Sequence, residues 1–388
     1  MLDLLWLLLP VAAASGWLMA RRSQGDPCAD QRAELNSDYF RGLNFLLNEQ
    51  PDKAIEVFIQ MLEVDSDTAE THLALGNLFR RRGEVDRAIR IHQNLIARPT
   101  LNREQRGAAL LELGQDYMRA GLLDRAESLL RELLEIGSQT RPALKHLLDI
   151  YQQEKEWDQA IEIARRLQAE QDQDMRPVIA QFYCELAEAA LRNGDPAEAG
   201  NLAKRALGFD RACVRASLIQ GRIAREAGQF RQAIRAFRRI EEQDIEFLPE
   251  VLPELQACFR AAGNPRGMLD YLRQVGEGYK GISTVLLQSE LLQQMEGDQA
   301  AIDYMEAQLR RRPSVRGLGR LIQLKLGRSE GEGREDLQVL DDLVDKLLEN
   351  RPRYQCKHCG FEGKSLHWQC PGCKEWNTVK PMRGVVDE

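Results

Sequence analysis

Between residues 35 and 315 the apolar and small residues recur three and four positions apart, the spacing of one buried stripe on a helix, in blocks about 34 residues long. One block reads GLNFLLNEQPDKAIEVF from Gly42, and the next reads GNLFRRRGEVDRAIRIH from Gly76, so that Gly42, Phe45, Ala54 and Phe58 map onto Gly76, Phe79, Ala88 and His92. The pattern returns at Gly114, Tyr117 and Ala126, at Tyr151 and Ala160 with Leu148 in place of the glycine, at Ala187 and Ala199, and at Gly221, Ala224, Ala233 and Phe237. Two weaker blocks follow, around Phe259, Met268 and Leu272 and around Leu292, Ala301 and Met305, for about eight in all. Each block predicts two antiparallel helices, with a small residue in the first and an alanine in the second letting the backbones approach. Gly83, Gly121, Gly194, Gly228 and Gly263 stand five residues before the alanine position, where a left-handed residue ends a helix. Insertions near Arg103 to Arg106 and Gln171 to Met175 are expected to lengthen turns between blocks.

This repeat resembles the tetratricopeptide repeat, which implies an all-α superhelical solenoid in which stacked neighbours bury a shared stripe. Such a scaffold argues for protein recognition rather than catalysis. Arginine outnumbers lysine among the 53 basic residues. On the first helices the stripe opposite the packing face holds Asn77, Arg80, Arg81, Arg119, Arg192, Arg222, Arg225 and Arg260, candidates for a groove that takes an acidic or extended partner segment. The alternative is an ordinary solvated charged face.

Ahead of the repeats, Leu4 to Ala20 is a run of 17 uncharged residues followed at once by Arg21 and Arg22. That is the short end of the length needed to span a bilayer, and Trp6 and Trp17 sit near its ends. The basic pair lies after the run, so residues 1–22 read as a retained single-pass anchor with its N-terminus across the membrane and the body in the cytoplasm. A cleaved signal peptide and a buried helix are the other readings.

At the far end, a last helix is predicted from Glu335 to Asn350, so that residues 316–350 close the solenoid, and the chain then breaks at Arg351-Pro352-Arg353. Cys356, Cys359, Cys370 and Cys373 form two C-x-x-C turns ten residues apart, and two such turns close a tetrahedral four-sulfur site for one ion, zinc or iron. Residues 351–388 are too few to build a core unaided, so metal is expected to supply folding free energy. A cytoplasmic location argues against disulfides. With four sulfurs in hand, His358 and His367 are not expected as ligands, and Cys184, Cys213 and Cys258 read as buried apolar positions. Cys28 follows the anchor without a lipoprotein-type sequence. The tail carries seven basic residues against four acidic, in a chain of net charge −7; its lysines are placed to offset the negative charge of the thiolates, and the alternative is that the opposite charges of tail and repeats help the tail fold back onto them. The CKHCGF knuckle, Tyr354, and the CPGC pair before Trp376 resemble rubredoxin, though the ten-residue gap is shorter than in the electron-transfer proteins and favours a structural site.

No phosphate-binding loop, HExxH or GxSxG sequence occurs, and five histidines leave few general bases, so a non-catalytic protein is expected. The negative balance does not suggest a nucleic-acid partner. Anchor, repeats and knuckle in this order resemble the lipopolysaccharide assembly protein B family of Gram-negative bacteria. The resemblance implies an inner-membrane adaptor that restrains lipopolysaccharide synthesis by promoting turnover of the lipid A deacetylase through a membrane-bound AAA protease, with the metal held by Cys356, Cys359, Cys370 and Cys373. A general scaffold for envelope assembly and a membrane-tethered redox protein are the alternatives.

Overall fold

The computed structural model describes residues 40–45, 69–99, 101–170, 174–349 and 351–384, with Ser15, Trp17, Met19, Leu47, Gln50, Lys53, Ala54 and Val57 besides. The predicted anchor, apart from three positions, lies outside the described residues, as do Cys28, Phe58 and the stretch 171–173. Among the described residues no helix is long and apolar enough to cross a membrane. The chain forms two compact units, Met1–Lys155 and Glu156–Glu388.

The first unit contains α1 (Ala69–Arg81), α2 (Val85–Ile96), α3 (Arg103–Arg119), α4 (Leu123–Ile136) and α5 (Thr140–Glu154). Ala88 and Ala126, the predicted close-approach alanines, are fully buried, with Leu95, Leu130 and Leu133. Arg103 to Arg106 are not a longer turn. They open α3, because the Asn102 side chain accepts from the Gln105 backbone while the Gln105 side chain reaches back to Asn102. That reciprocal cap satisfies two otherwise orphaned donors and lets the insertion add a helical turn, making α3 17 residues long.

The second unit continues with α6 (Trp157–Ala169), α7 (Arg176–Arg192), α8 (Pro196–Phe209), α9 (Val214–Glu226), α10 (Phe230–Gln243), a single 3₁₀ turn (Ile245–Phe247), α11 (Leu248–Ala261), α12 (Pro265–Gly278), α13 (Ile282–Glu296), α14 (Asp298–Arg311), α15 (Val315–Leu326) and α16 (Glu332–Leu348). The two weak blocks are complete helix pairs, with Met268, Leu272, Ala301 and Met305 buried at the predicted positions. All five predicted turn glycines are left-handed, at φ between 68° and 84°. Gly221 illustrates the close approach: a Cβ there would stand 2.3 Å from the Phe237 ring, sixteen residues on. A core built on Phe237, Ile240, Phe247, Leu255 and Leu272, each fully buried, joins α9 to α13.

After α16 the chain makes β1 (Tyr354–Cys356), β2 (Glu362–Gly363) and β3 (Val379–Pro381), an antiparallel sheet in the order β2-β1-β3. Tyr354 pairs with Gly363 on one side and with Pro381 on the other.

Candidate metal centre and its seat on the repeats

The two C-x-x-C turns have one hydrogen-bond plan, displaced by fourteen residues. Gly360 donates to the Cys356 carbonyl at 3.0 Å, and Lys374 donates to the Cys370 carbonyl at 2.9 Å. Cys356 and Cys370 in turn donate to Phe361 and Glu375 at 2.7 and 2.9 Å. Both closing residues are left-handed, Gly360 at φ 77° and Lys374 at 62°. These turns bring four sulfurs within 4.8 Å of one another. Cys356 and Cys373 Sγ are 3.8 Å apart, and Cys359 and Cys370 Sγ 3.6 Å. A tetrahedron with metal–sulfur bonds of about 2.3 Å has edges of about 3.8 Å, so the cage fits one ion. Zinc and iron both suit such a set.

The surroundings of Cys356 favour its thiolate. The backbone N–H groups of His358 and Cys359 point at Cys356 Sγ at 3.4 and 3.5 Å, and Thr378 Oγ1 lies 3.3 Å away. Burial opposes ionisation of this thiol, but Thr378 and the two N–H groups outweigh it and hold its pKa at about 6. Cys356 and Cys370 are buried, Cys373 is half-buried and Cys359 is exposed. Neither histidine joins the cage: His358 is exposed, and His367 packs edge-on against Phe361 and meets Ser365 Oγ at 3.2 Å.

The sheet is seated on the second unit by aromatic rings and charge. Trp376 meets Trp157 and Phe182 edge-on, with centroids 6.1 and 5.8 Å away, and Trp368 stacks on Phe247 at 5.3 Å. Leu366 and Trp368 extend the apolar core of α9 to α13. Lys380 Nζ donates to Asp244 at 2.6 Å and lies 4.2 Å from the Phe247 ring centre, while Arg383 faces Glu246 at 3.8 Å. Beneath Trp368, Arg215 holds Glu188 through Nε and Nη2 at 2.9 and 2.8 Å. The tail thus folds back as its charge implied. Trp368, Phe247 and Arg215, which carry much of the seat, had no sequence signal beyond their apolar or basic character.

Tyr354 adds a contact whose strength depends on pH. Its hydroxyl donates to Glu250 at 2.5 Å. Burial first, then that bond and the Glu250 charge, raise its pKa above the ordinary phenol value. A raised native pKa stabilises the fold fully below the unfolded value, about 10, and the stabilisation fades as pH climbs through the native one. Tyr354→Phe is expected to cost about 1.5 kcal/mol at neutral pH and to flatten the loss of stability above pH ~10, read by urea unfolding at several pH values.

Residues 354–381 match the family described as rubredoxin metal binding domain, and residues 71–106, 111–175 and 144–217 match tetratricopeptide repeat families. Lipopolysaccharide assembly protein B of Escherichia coli (strain K12) is 42% identical over 386 residues, covering 99% of both chains. The chain belongs to the lipopolysaccharide assembly protein B family. The Haemophilus influenzae (strain Rd) member is 36% identical over 391 residues, covering 98% of both.

Within this family member the predicted arginine stripe is partly engaged in ladder contacts. Arg80 binds Glu112 at 2.6 Å and the fully buried Asp116 at 2.8 Å, both on the next first helix. Arg222 and Arg225 share Glu254, and Arg260 reaches Glu290 at 3.9 Å. The physical reason is the repeat itself: a residue near the end of one first helix faces a position about 32 residues on, so opposite charges there tie consecutive repeats together. Arg81, Arg119 and Arg192 are exposed, and Asn77 Oδ1 is buried without a hydrogen-bond partner among the described residues.

Proposed function

We propose that this protein is a non-catalytic adaptor, held at the bacterial inner membrane by residues 1–22, that presents the lipid A deacetylase to a membrane-bound AAA protease and so restrains lipopolysaccharide synthesis. The observation that carries the reading is the match to lipopolysaccharide assembly protein B over 99% of both chains, on a scaffold of stacked helix pairs. A membrane span would hold adaptor and protease in one plane, raising their effective concentration without new contacts. The repeats offer a surface for a client, and the metal domain is seated on them, with Leu366 and Trp368 packed against the core of α9 to α13.

The test is mild cross-linking in living cells with the N-terminal segment intact, followed by mass spectrometry. Recovery of the protease and the deacetylase together, with a rise in deacetylase abundance on depletion of this protein, is the expected result. Recovery of envelope-assembly proteins or electron carriers without either of the two would overturn it.

A further inference from the structure

A cleft of about 820 Å³ lies wholly within the second unit, and none of the arginines singled out from the repeat pattern lines it. One wall is made by α11, α13 and α15, the first helices of the last three pairs, and by α16. The facing wall is the Arg351-Pro352-Arg353 linker with Tyr354, Pro381 and Met382. Leu252, Leu286, Leu287 and Val344 give it apolar ground. It is an open trough, unlike the enclosing sites that bury most of a small ligand.

Four arginines line this trough, Arg316 already engaged within the protein and Arg320, Arg351 and Arg353 besides, against three carboxylates, an excess of one positive charge. Two of those carboxylates already accept protein hydrogen bonds: Glu250 from Tyr354, and Glu290 from Gln256 and Gln294. Arg320 donates to Gln293 Oε1 and Arg351 to the Leu347 carbonyl, which uses one of five donors in each guanidinium. The remaining donors are suited to paired contacts with carboxylates. Gln256, Ser283 and Gln323 place polar side chains along the same wall.

We propose that this cleft binds an extended peptide segment of a partner protein, with apolar side chains on the leucine floor and carboxylates on Arg320 and Arg353. Because one wall is the linker and sheet edge, the site exists only while the metal domain is seated, so metal occupancy controls peptide binding. This rests on reading the repeats as a protein-binding scaffold but not on the identity of the client. An in vitro peptide result therefore stands or falls separately from the cellular cross-link.

The experiment uses the full metal-loaded chain and two fluorescein-labelled hexapeptide libraries, alternating apolar residues with Glu in one and with Lys in the other, followed by anisotropy. The Glu library is expected to bind at least about tenfold tighter than the Lys library, and Arg320→Glu with Arg353→Glu to weaken it by about tenfold or more. Arg266→Glu, on an exposed face outside the cleft, is expected to change nothing. Should the double reversal lose its fold by circular dichroism, Arg320→Gln with Arg353→Gln supplies the same comparison. Equal binding of both libraries, no binding of the Glu library, or binding that survives both the substitutions and metal removal would overturn the proposal.

Discussion

Stripping the metal with a strong chelator, or replacing Cys370 by Ser, is expected to unfold residues 354–381 and lift Trp368 and Trp376 off the repeats. The strands are three, two and three residues long, and the domain's own buried set is Tyr354, Cys356, Cys370 and Val379. A core of that size cannot offset the ordering of nearly thirty residues at about 1–2 kcal/mol each. Structural zinc in comparable peptides supplies about 10–16 kcal/mol, which is the difference between a folded and an unfolded tail. Cys370 is the severest position, being fully buried within the cage. Undocking also exposes the Phe182 and Phe247 rings, so tryptophan emission is expected to shift to the red and trypsin to cut after Arg353 within minutes. Amide exchange localises the effect: protection is lost across 354–381 and weakened in α9 to α13, while α3 and α4 keep theirs. Full protection of the Cys356 and Cys370 amides after chelation would show that the sheet stands without metal.

How far these features can be read from the chain follows from how local their causes are. The 34-residue recurrence, the left-handed glycines and the four cysteines are set by neighbours in sequence, so the helix pairs and the metal cage are legible in the sequence alone. The fate of Arg103 to Arg106 was not, because repeat counting sees an insertion where the Asn102–Gln105 cap builds another helical turn. The arginine stripe is a different case: the carboxylates that pair with Arg80, Arg222 and Arg225 come from the next repeat, and a single-helix pattern carries no record of them. The seat of the metal domain is further still from local information: Lys380 reaches Asp244, 136 residues back, and Tyr354 reaches Glu250, 104 residues back. Only the opposite formal charges of tail and body hinted at it.

Arg215→Ala is the substitution among the repeats expected to cost the most. Arg215 opens α9 at only 3% exposure, and it gathers Glu185 and Glu188 of α7, each with an oxygen 2.8 Å from Nη2. Burial disfavours its charge, yet the bond to Glu188 and the charges of both glutamates more than compensate and raise its pKa above the ordinary value. Removing the guanidinium leaves two carboxylates facing each other between α7 and α9 with no cation, the arrangement in which loss of one partner costs about 3–5 kcal/mol. The glutamates keep 22% and 32% exposure, so solvent softens the repulsion and the lower end, about 3 kcal/mol, is expected. Arg215→Lys is expected to recover part of this, since an ammonium restores charge but not the two-pronged bond to Glu188. The arginine also lies 5.7 Å from the Trp368 ring, so its loss weakens the seat of the metal domain by about 0.5–2 kcal/mol more. Urea unfolding reads the first effect and the rate of trypsin cleavage at the 351–353 linker reads the second. A variant that loses less than about 1 kcal/mol and keeps the linker protected would mean that the carboxylates are fully solvated and Trp368 is held by Phe247 alone.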